Sequence, residues 1–133
     1  MPKQEMVIMT RTFDLLTWLL PMSNHFPRAH RHTYTQRLLN AAFDLQEHLE
    51  EANQRRGRAR AERLARADEA LGHLRIYLRL AVRWHWLSQG QYHHVAKIVA
   101  EIGRLLGGWR KATARAAPNS HQTTHAYAEE RLL

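Results

Sequence analysis

No proline interrupts the chain between Pro27 and Pro118, and the interval is rich in Ala, Leu and Arg. Proline inside a helix removes a hydrogen bond and costs about 3 kcal/mol, whereas Ala, Leu and Arg are among the best helix formers. A stretch of this length and composition is committed to helix. At 133 residues, 44% of them hydrophobic, the chain is long enough to bury one core.

Apolar periodicity divides the chain into four amphipathic segments. The first spans about residues 4–24, with Met9, Phe13, Leu16 and Leu20 at helical spacing, and Pro21 and Pro27 end it or kink it. The second spans about 32–55, with Leu38, Ala42, Leu45, Leu49 and Ala52 on one face and Thr33 or Thr35 placed to cap it. A polar run around Gly57 supplies the next turn. The third spans about 58–86 and carries Leu64, Ala67, Leu71, Leu74, Leu78, Ala81 and His85 at alternating steps of three and four. Ser88-Gln89-Gly90 breaks it, with Ser88 able to cap the fourth, about 88–117, where Val95, Ile98, Ile102, Leu105 and Trp109 keep the same alternation. Such seams belong to helices crossing at shallow angles. They predict an all-α, up-down-up-down four-helix bundle over residues 1–117. Residues 118–133 have no sustained apolar stripe and are expected to form a disordered or loosely docked tail.

Charge is distributed unevenly. The chain carries 20 Lys and Arg against 12 Asp and Glu, for a net +8. Residues 1–57 hold seven basic and six acidic side chains, whereas residues 58–117 hold twelve and four. In the third helix Arg75, Arg79 and Arg83 recur every four residues and form one ridge without an acidic i+4 partner. Asp68 and Glu69 lie nearer Arg63 and Arg66, so that part of the helix can neutralise itself. On the fourth helix Lys97, Arg104, Lys111 and Arg115 share roughly one side, interrupted by Glu101, and Arg110-Lys111 lies in its last turns. Guanidinium groups bind phosphate oxygens bidentately and stay charged. The ridge and its neighbours, Arg75, Arg79, Arg83, Lys97, Arg104, Arg110 and Lys111, are therefore the candidate nucleic-acid contacts. They would position a phosphate backbone without reading bases.

Other chemistry is poorly represented. The chain has no cysteine, which excludes disulfides, thiolate nucleophiles and cysteine zinc sites. Ten histidines include the pairs His30/His32, His93/His94 and His121/His125, but none stands in a His-Glu-x-x-His motif or beside a carboxylate cluster, so no metal or cofactor is expected. No phosphate-binding loop or serine elbow is present. Phe13 to Met22 is too short an apolar stretch to cross a bilayer, and the N-terminus lacks signal-peptide order, so a soluble cytoplasmic protein without membrane contact is expected. The prediction is a binding protein, not an enzyme.

Two residue groups suggest contacts of another kind. Gly103 and Gly107, four apart within a helix, make either a flat groove for another helix or subunit, or a loosened helix end. Trp84, Trp86 and Trp109 gather near the junction of the last two helices, either packing the bundle end or forming a subunit or partner surface.

Three stretches resemble the Avd proteins, the accessory variability determinants of diversity-generating retroelements, relatives of the four-helix proteins encoded in ribosomal RNA intervening sequences. Phe26-Pro27-Arg28 followed by Gln36-Arg37-Leu38 is similar to that family's junction into its second helix. Ala67-Asp68-Glu69-Ala70-Leu71 and Leu74-Arg75-Ile76-Tyr77-Leu78-Arg79-Leu80-Ala81 are similar to its third. The stretch from Tyr92 through Glu101-Ile102-Gly103-Arg104-Leu105-Leu106-Gly107-Gly108-Trp109 is similar to its fourth and is the most specific of the three. Together they cover roughly residues 8–112. The resemblance implies a ring-like homopentamer of four-helix bundles with a basic surface. It also implies partners: the retroelement's reverse transcriptase, and template RNA or complementary DNA. By position, Arg75, Arg79 and Arg104 match family arginines, while Arg83 rests on the ridge argument alone. Trp84-His85-Trp86 departs from the small aliphatic residues usual there. The alternative is a bundle of the wider family with general RNA-binding capacity and no retroelement role.

Overall fold

The computed structural model describes residues 3–116. Four helices follow one another: α1 (Lys3–Met22), α2 (Gln36–Asn53), α3 (Gly57–Arg83) and α4 (Gln89–Ala116). Among the described residues there is no strand. Each helix packs against its neighbours in the chain, α1 closes against α4, and the α2–α3 pair makes the most extensive contact. The result is the up-down-up-down bundle that the seams predict. The tail expected at 118–133 lies outside the described residues.

The core stripes of α2 and α3 fall where periodicity puts them, with Leu38, Ala42, Leu45, Leu49 and Ala52 facing Leu64, Ala67, Leu71, Leu74, Leu78 and Ala81, all buried. The α2 and α3 stripes include small residues, Ala42 and Ala52 on one helix and Ala67 and Ala81 on the other, all buried. On α4 the buried line is Val95, Val99, Ile102, Leu106 and Trp109, whereas Ile98 and Leu105 sit half-buried beside it.

The α1 stripe differs in register. Ile8, Thr12, Leu15 and Leu19 face the core, and Phe13 and Leu20 are 52% and 48% exposed. Thr12 occupies a core position because its hydroxyl donates to the Ile8 carbonyl at 2.8 Å, leaving no polar group unsatisfied. Met6, Phe13 and Leu20, each seven residues from the next, form an outward line of apolar side chains.

The helix junctions also revise the sequence reading. Neither Thr33 nor Thr35 caps α2. Thr35 is buried in helical backbone, and a π-helical turn over Arg31–Thr35 runs straight into the helix. Phe26, which precedes Pro27, is extended (ψ 154°), and 3-10 turns flank it on both sides. Gly57 opens α3 at φ +58°, where a side chain would be strained. At the start of α4, Ser88 Oγ accepts from the Gln91 amide at 3.0 Å, and Gln91 Oε1 accepts from the Ser88 amide at 2.9 Å. This reciprocal pair is a capping box.

Helix α3 stops at Arg83, earlier than the predicted 86. His85 is not a core residue: it is exposed and adopts φ +64°. The Trp86 amide donates to the Ala81 carbonyl at 2.8 Å, and the His85 amide to the Val82 carbonyl at 3.1 Å. These bonds form a Schellman turn with a histidine in the position that glycine usually fills. The turn places Trp84 and Trp86 together at the end of the bundle, with centroids 4.9 Å apart.

Candidate nucleic-acid interface

Arg75 and Arg79 leave α3 on the flank that meets α4. Together with Leu78 they form one wall of a cleft of about 180 Å³, and Tyr92, Ala96 and Val99 of α4 form the other. The α4 wall is low because Ala96, Ala100 and Gly103 stand at helical spacing along it. Gly103 has a specific reason to be glycine, since a Cβ there would run into the Arg75 guanidinium. The space is taken by the end of an arginine of the same chain. Gly107, by contrast, has open space where a Cβ would go. Within the chain, then, only Gly103 is filled by a neighbouring side chain.

Among the described residues, Arg75, Arg79 and Arg83 form no ion pair, and neither do Lys97, Arg104 and Lys111. All six are exposed. Helical spacing puts Lys97, Arg104 and Lys111, seven residues apart, along the outer side of α4. Beside the Arg75–Arg79 cleft, that line makes one cationic face across α3 and α4. Arg83 closes the last turn of α3, where the helix dipole favours a cation.

Arg110 does not share this freedom. Its guanidinium reaches Asp68 of α3 at 3.1 Å. The acidic partner thus comes from across the bundle, as it does for Arg63, which pairs with Glu51 of α2 at 2.8 Å. Where the sequence suggests neutralisation of Arg63 and Asp68 within α3, both pairs run between helices. Glu101, which interrupts the basic row on α4 in sequence, is drawn to Arg11 of α1 at 2.9 Å, and Arg11 also holds Asp14 at 2.8 Å. The hydrogen bonds that Arg11 donates, first to Glu101 and then to Asp14, raise its pKa above the ordinary value. Glu101 therefore does little to offset Lys97 and Arg104.

The three tryptophans separate. Trp109 is 4% exposed, with the Arg60 guanidinium 5.7 Å from its ring centroid. It lies at the opposite end of α3 from Trp84, ~36 Å away by helical rise, and offers no outer surface. Trp84 is 44% exposed and joins Trp86, Tyr34 and Tyr77 in a ring cluster, with His30 stacked on Trp86 at 5.5 Å. The Tyr34 hydroxyl donates to the Tyr77 carbonyl. Burial pushes the Tyr34 phenol well above its ordinary pKa. Among the described residues no three His, Asp or Glu side chains gather as a metal site. No helix of these residues is long and apolar enough to cross a membrane.

A sequence model of the bAvd-like family matches residues 6–113, which take in α2, α3, most of α1 and α4, and both walls of the cleft. The chain belongs to the bAvd-like family. The fold is similar to that of a protein of unknown function from the S23 ribosomal protein family of Bacteroides thetaiotaomicron VPI-5482, known from a crystal structure. The TM-score is 0.74 at 16% identity, over 81% of this chain and 98% of that one. At such identity the likeness is one of fold. No curated protein matches the chain.

In this bAvd-like bundle the arginine ridge is legible in sequence, but the surface opposite it is not. Tyr92, Ala96 and Ala100 attract no notice singly; read as a four-residue repeat beside Gly103, they mark a shallow track on α4. The outward line Met6–Phe13–Leu20 is likewise hidden, because its members resemble core residues until Thr12 is recognised as one.

Proposed function

We propose that this protein is a non-catalytic accessory subunit of a diversity-generating retroelement. In this reading its α3–α4 face holds template RNA or complementary DNA against the reverse transcriptase. Membership of the bAvd-like family, with the resemblance to the Avd proteins, supports the retroelement context. The observation that carries the binding role is the cleft where Arg75 and Arg79 have no carboxylate partner among the described residues, while the carboxylates near them are taken by Arg110 and Arg11. Guanidinium groups in a row on one ridge repel one another, and a phosphate backbone relieves that repulsion. Arg83, Lys97, Arg104 and Lys111 extend the track, so contact is with backbone more than with base edges and falls with salt. Arg110 has a lesser part, because an anion must first compete with Asp68.

The protein contacts belong elsewhere on the surface. The apolar line Met6–Phe13–Leu20 of α1 suits a helix of a second copy or of the polymerase, and it supports a homo-oligomer, a pentamer by the resemblance. The setting is the cytoplasm, where the template RNA is made.

The test is co-purification with the reverse transcriptase encoded beside this protein, with and without nuclease. A complex that survives nuclease is expected, and it would place a protein–protein interface on the bundle. Absence of any complex, with RNA binding retained, would leave a general RNA-binding bundle outside a retroelement.

A further inference from the structure

On the other flank of α3 from the arginine cleft, an open pocket of about 520 Å³ lies between the end of that helix and the turn that starts α2. Its size is within the roughly 300–1,000 Å³ of small-molecule sites. Its walls are rings: Tyr34, Tyr77, Trp84 and Trp86, with Leu80 among them. The rings are held edge to face, Tyr34 against Trp86 at 5.0 Å and against Tyr77 at 5.9 Å with planes 88° apart. Trp86 has His30 stacked on it. Trp84 keeps nearly half of its surface open and lies against the pocket.

The rim decides what such a pocket accepts. Arg37 and His30 line it and no carboxylate does, and Arg37 makes no ion pair among the described residues. Aromatic walls alone would suit an organic cation, but a cationic rim disfavours one. A flat π system that carries an anionic group satisfies both halves of the site. The Thr33 hydroxyl, also on the wall, can hydrogen-bond to the edge of such a ligand.

The geometry points to a site for one unpaired nucleotide, its base stacked on Trp84 and its phosphate on Arg37. Single-stranded nucleic acid is held in this way, by stacking on exposed rings beside a basic track. A duplex cannot use the pocket, since its bases are stacked on one another. The site extends the nucleic-acid reading of the α3–α4 face but does not depend on that face.

The test compares a single-stranded RNA octamer, a blunt duplex of equal length and AMP, each titrated while tryptophan fluorescence is followed. The octamer should quench the fluorescence and bind the wild type. Trp84→Leu, which keeps apolar contact without a ring, should weaken the octamer about tenfold or more and leave the duplex unchanged. Trp84→Phe should recover most of the loss, and Arg37→Gln should weaken the octamer with a shallower salt dependence. If AMP binds as tightly as the octamer with the same dependence on Trp84, the pocket takes a free nucleotide. Equal octamer binding by Trp84→Leu and wild type would overturn the site. If that variant instead lost only the polymerase, the pocket would be a protein-docking surface and the inference would also fall. Failure of the α3–α4 reading has a separate signature: duplex binding that survives Arg75→Ala with Arg79→Ala.

Discussion

The two halves of α3 carry the same residue type and dispose of its charge in opposite ways. In the N-terminal half Arg63 meets Glu51 of α2, Arg60 donates to the Ala52 carbonyl and covers Trp109, and Asp68 collects Arg110 from α4. In the C-terminal half Arg75 and Arg79 lie across small residues of α4 and meet no carboxylate among the described residues. Arg60 and Arg63 are half-buried whereas Arg75 and Arg79 are exposed, and the contrast follows from what the neighbouring helices bring to each set. Arginine is structural where another helix brings an acid to it, and available to an outside anion where the facing helix offers Tyr92, Val99 and small residues but no carboxylate on the cleft wall.

The largest effect should come from removing the available set. Arg75→Ala with Arg79→Ala is expected to weaken RNA binding by on the order of tenfold to a hundredfold at moderate salt. The slope of log affinity against log salt should fall by up to about two, with helicity by circular dichroism unchanged. The matching change in the other half, Arg63→Ala, should leave affinity and slope as they were. If both variants bound alike, the contrast between the halves would be lost.

A sharper test adds one methyl group. Gly103→Ala gains up to about 1 kcal/mol of helix propensity, and its Cβ displaces only the flexible end of Arg75. A higher melting temperature together with a few-fold loss of RNA affinity is expected. Gly107→Ala, with open space around it, should gain similar stability and lose no affinity. Equal behaviour in binding would mean that the seat on Gly103 does not position Arg75.

The smallest effect lies on the structural side. Glu51→Gln removes the partner of Arg63, but both side chains are about a third exposed, at 32% and 39%. Solvent screening limits the loss to about 0.2–1 kcal/mol in chemical denaturation, with no change in RNA binding. A large loss would show this pair to be better shielded than its exposure implies.

These contrasts also mark how far the sequence can be read. The α2 stripe is legible because Leu and Ala recur at alternating steps of four and three, and the same holds for α3 from Leu64 to Ala81; only Ala41 and Ala70, buried at the edges of those stripes, go unread. On α1 the reading slips, since apolarity favours Phe13 and Leu20 over Thr12, whose back-bond to Ile8 exists only once the helix has formed. The end of α3 is misplaced because Trp84-His85-Trp86 continues the apolar pattern, while the chain has already turned through a left-handed histidine. For the site, four-residue spacing reveals the ridge of Arg75, Arg79 and Arg83. That Arg110 is spoken for by Asp68 cannot be read locally, because the two are far apart in sequence and meet only through the pairing of α3 with α4.

The bridge from Arg11 to Glu101 joins the first helix to the last across most of the chain. Contacts between such distant positions form only after intervening loops have closed, so they come late in folding and open early. With α2 and α3 sharing the most extensive interface, the molecule has a durable central hairpin and a first helix that serves as its latch. In native-state hydrogen exchange the amides of α1 should open at lower free energy than those of α2 and α3. The apolar line on its outer side would then be carried by the segment of the bundle that is easiest to reposition when another helix docks.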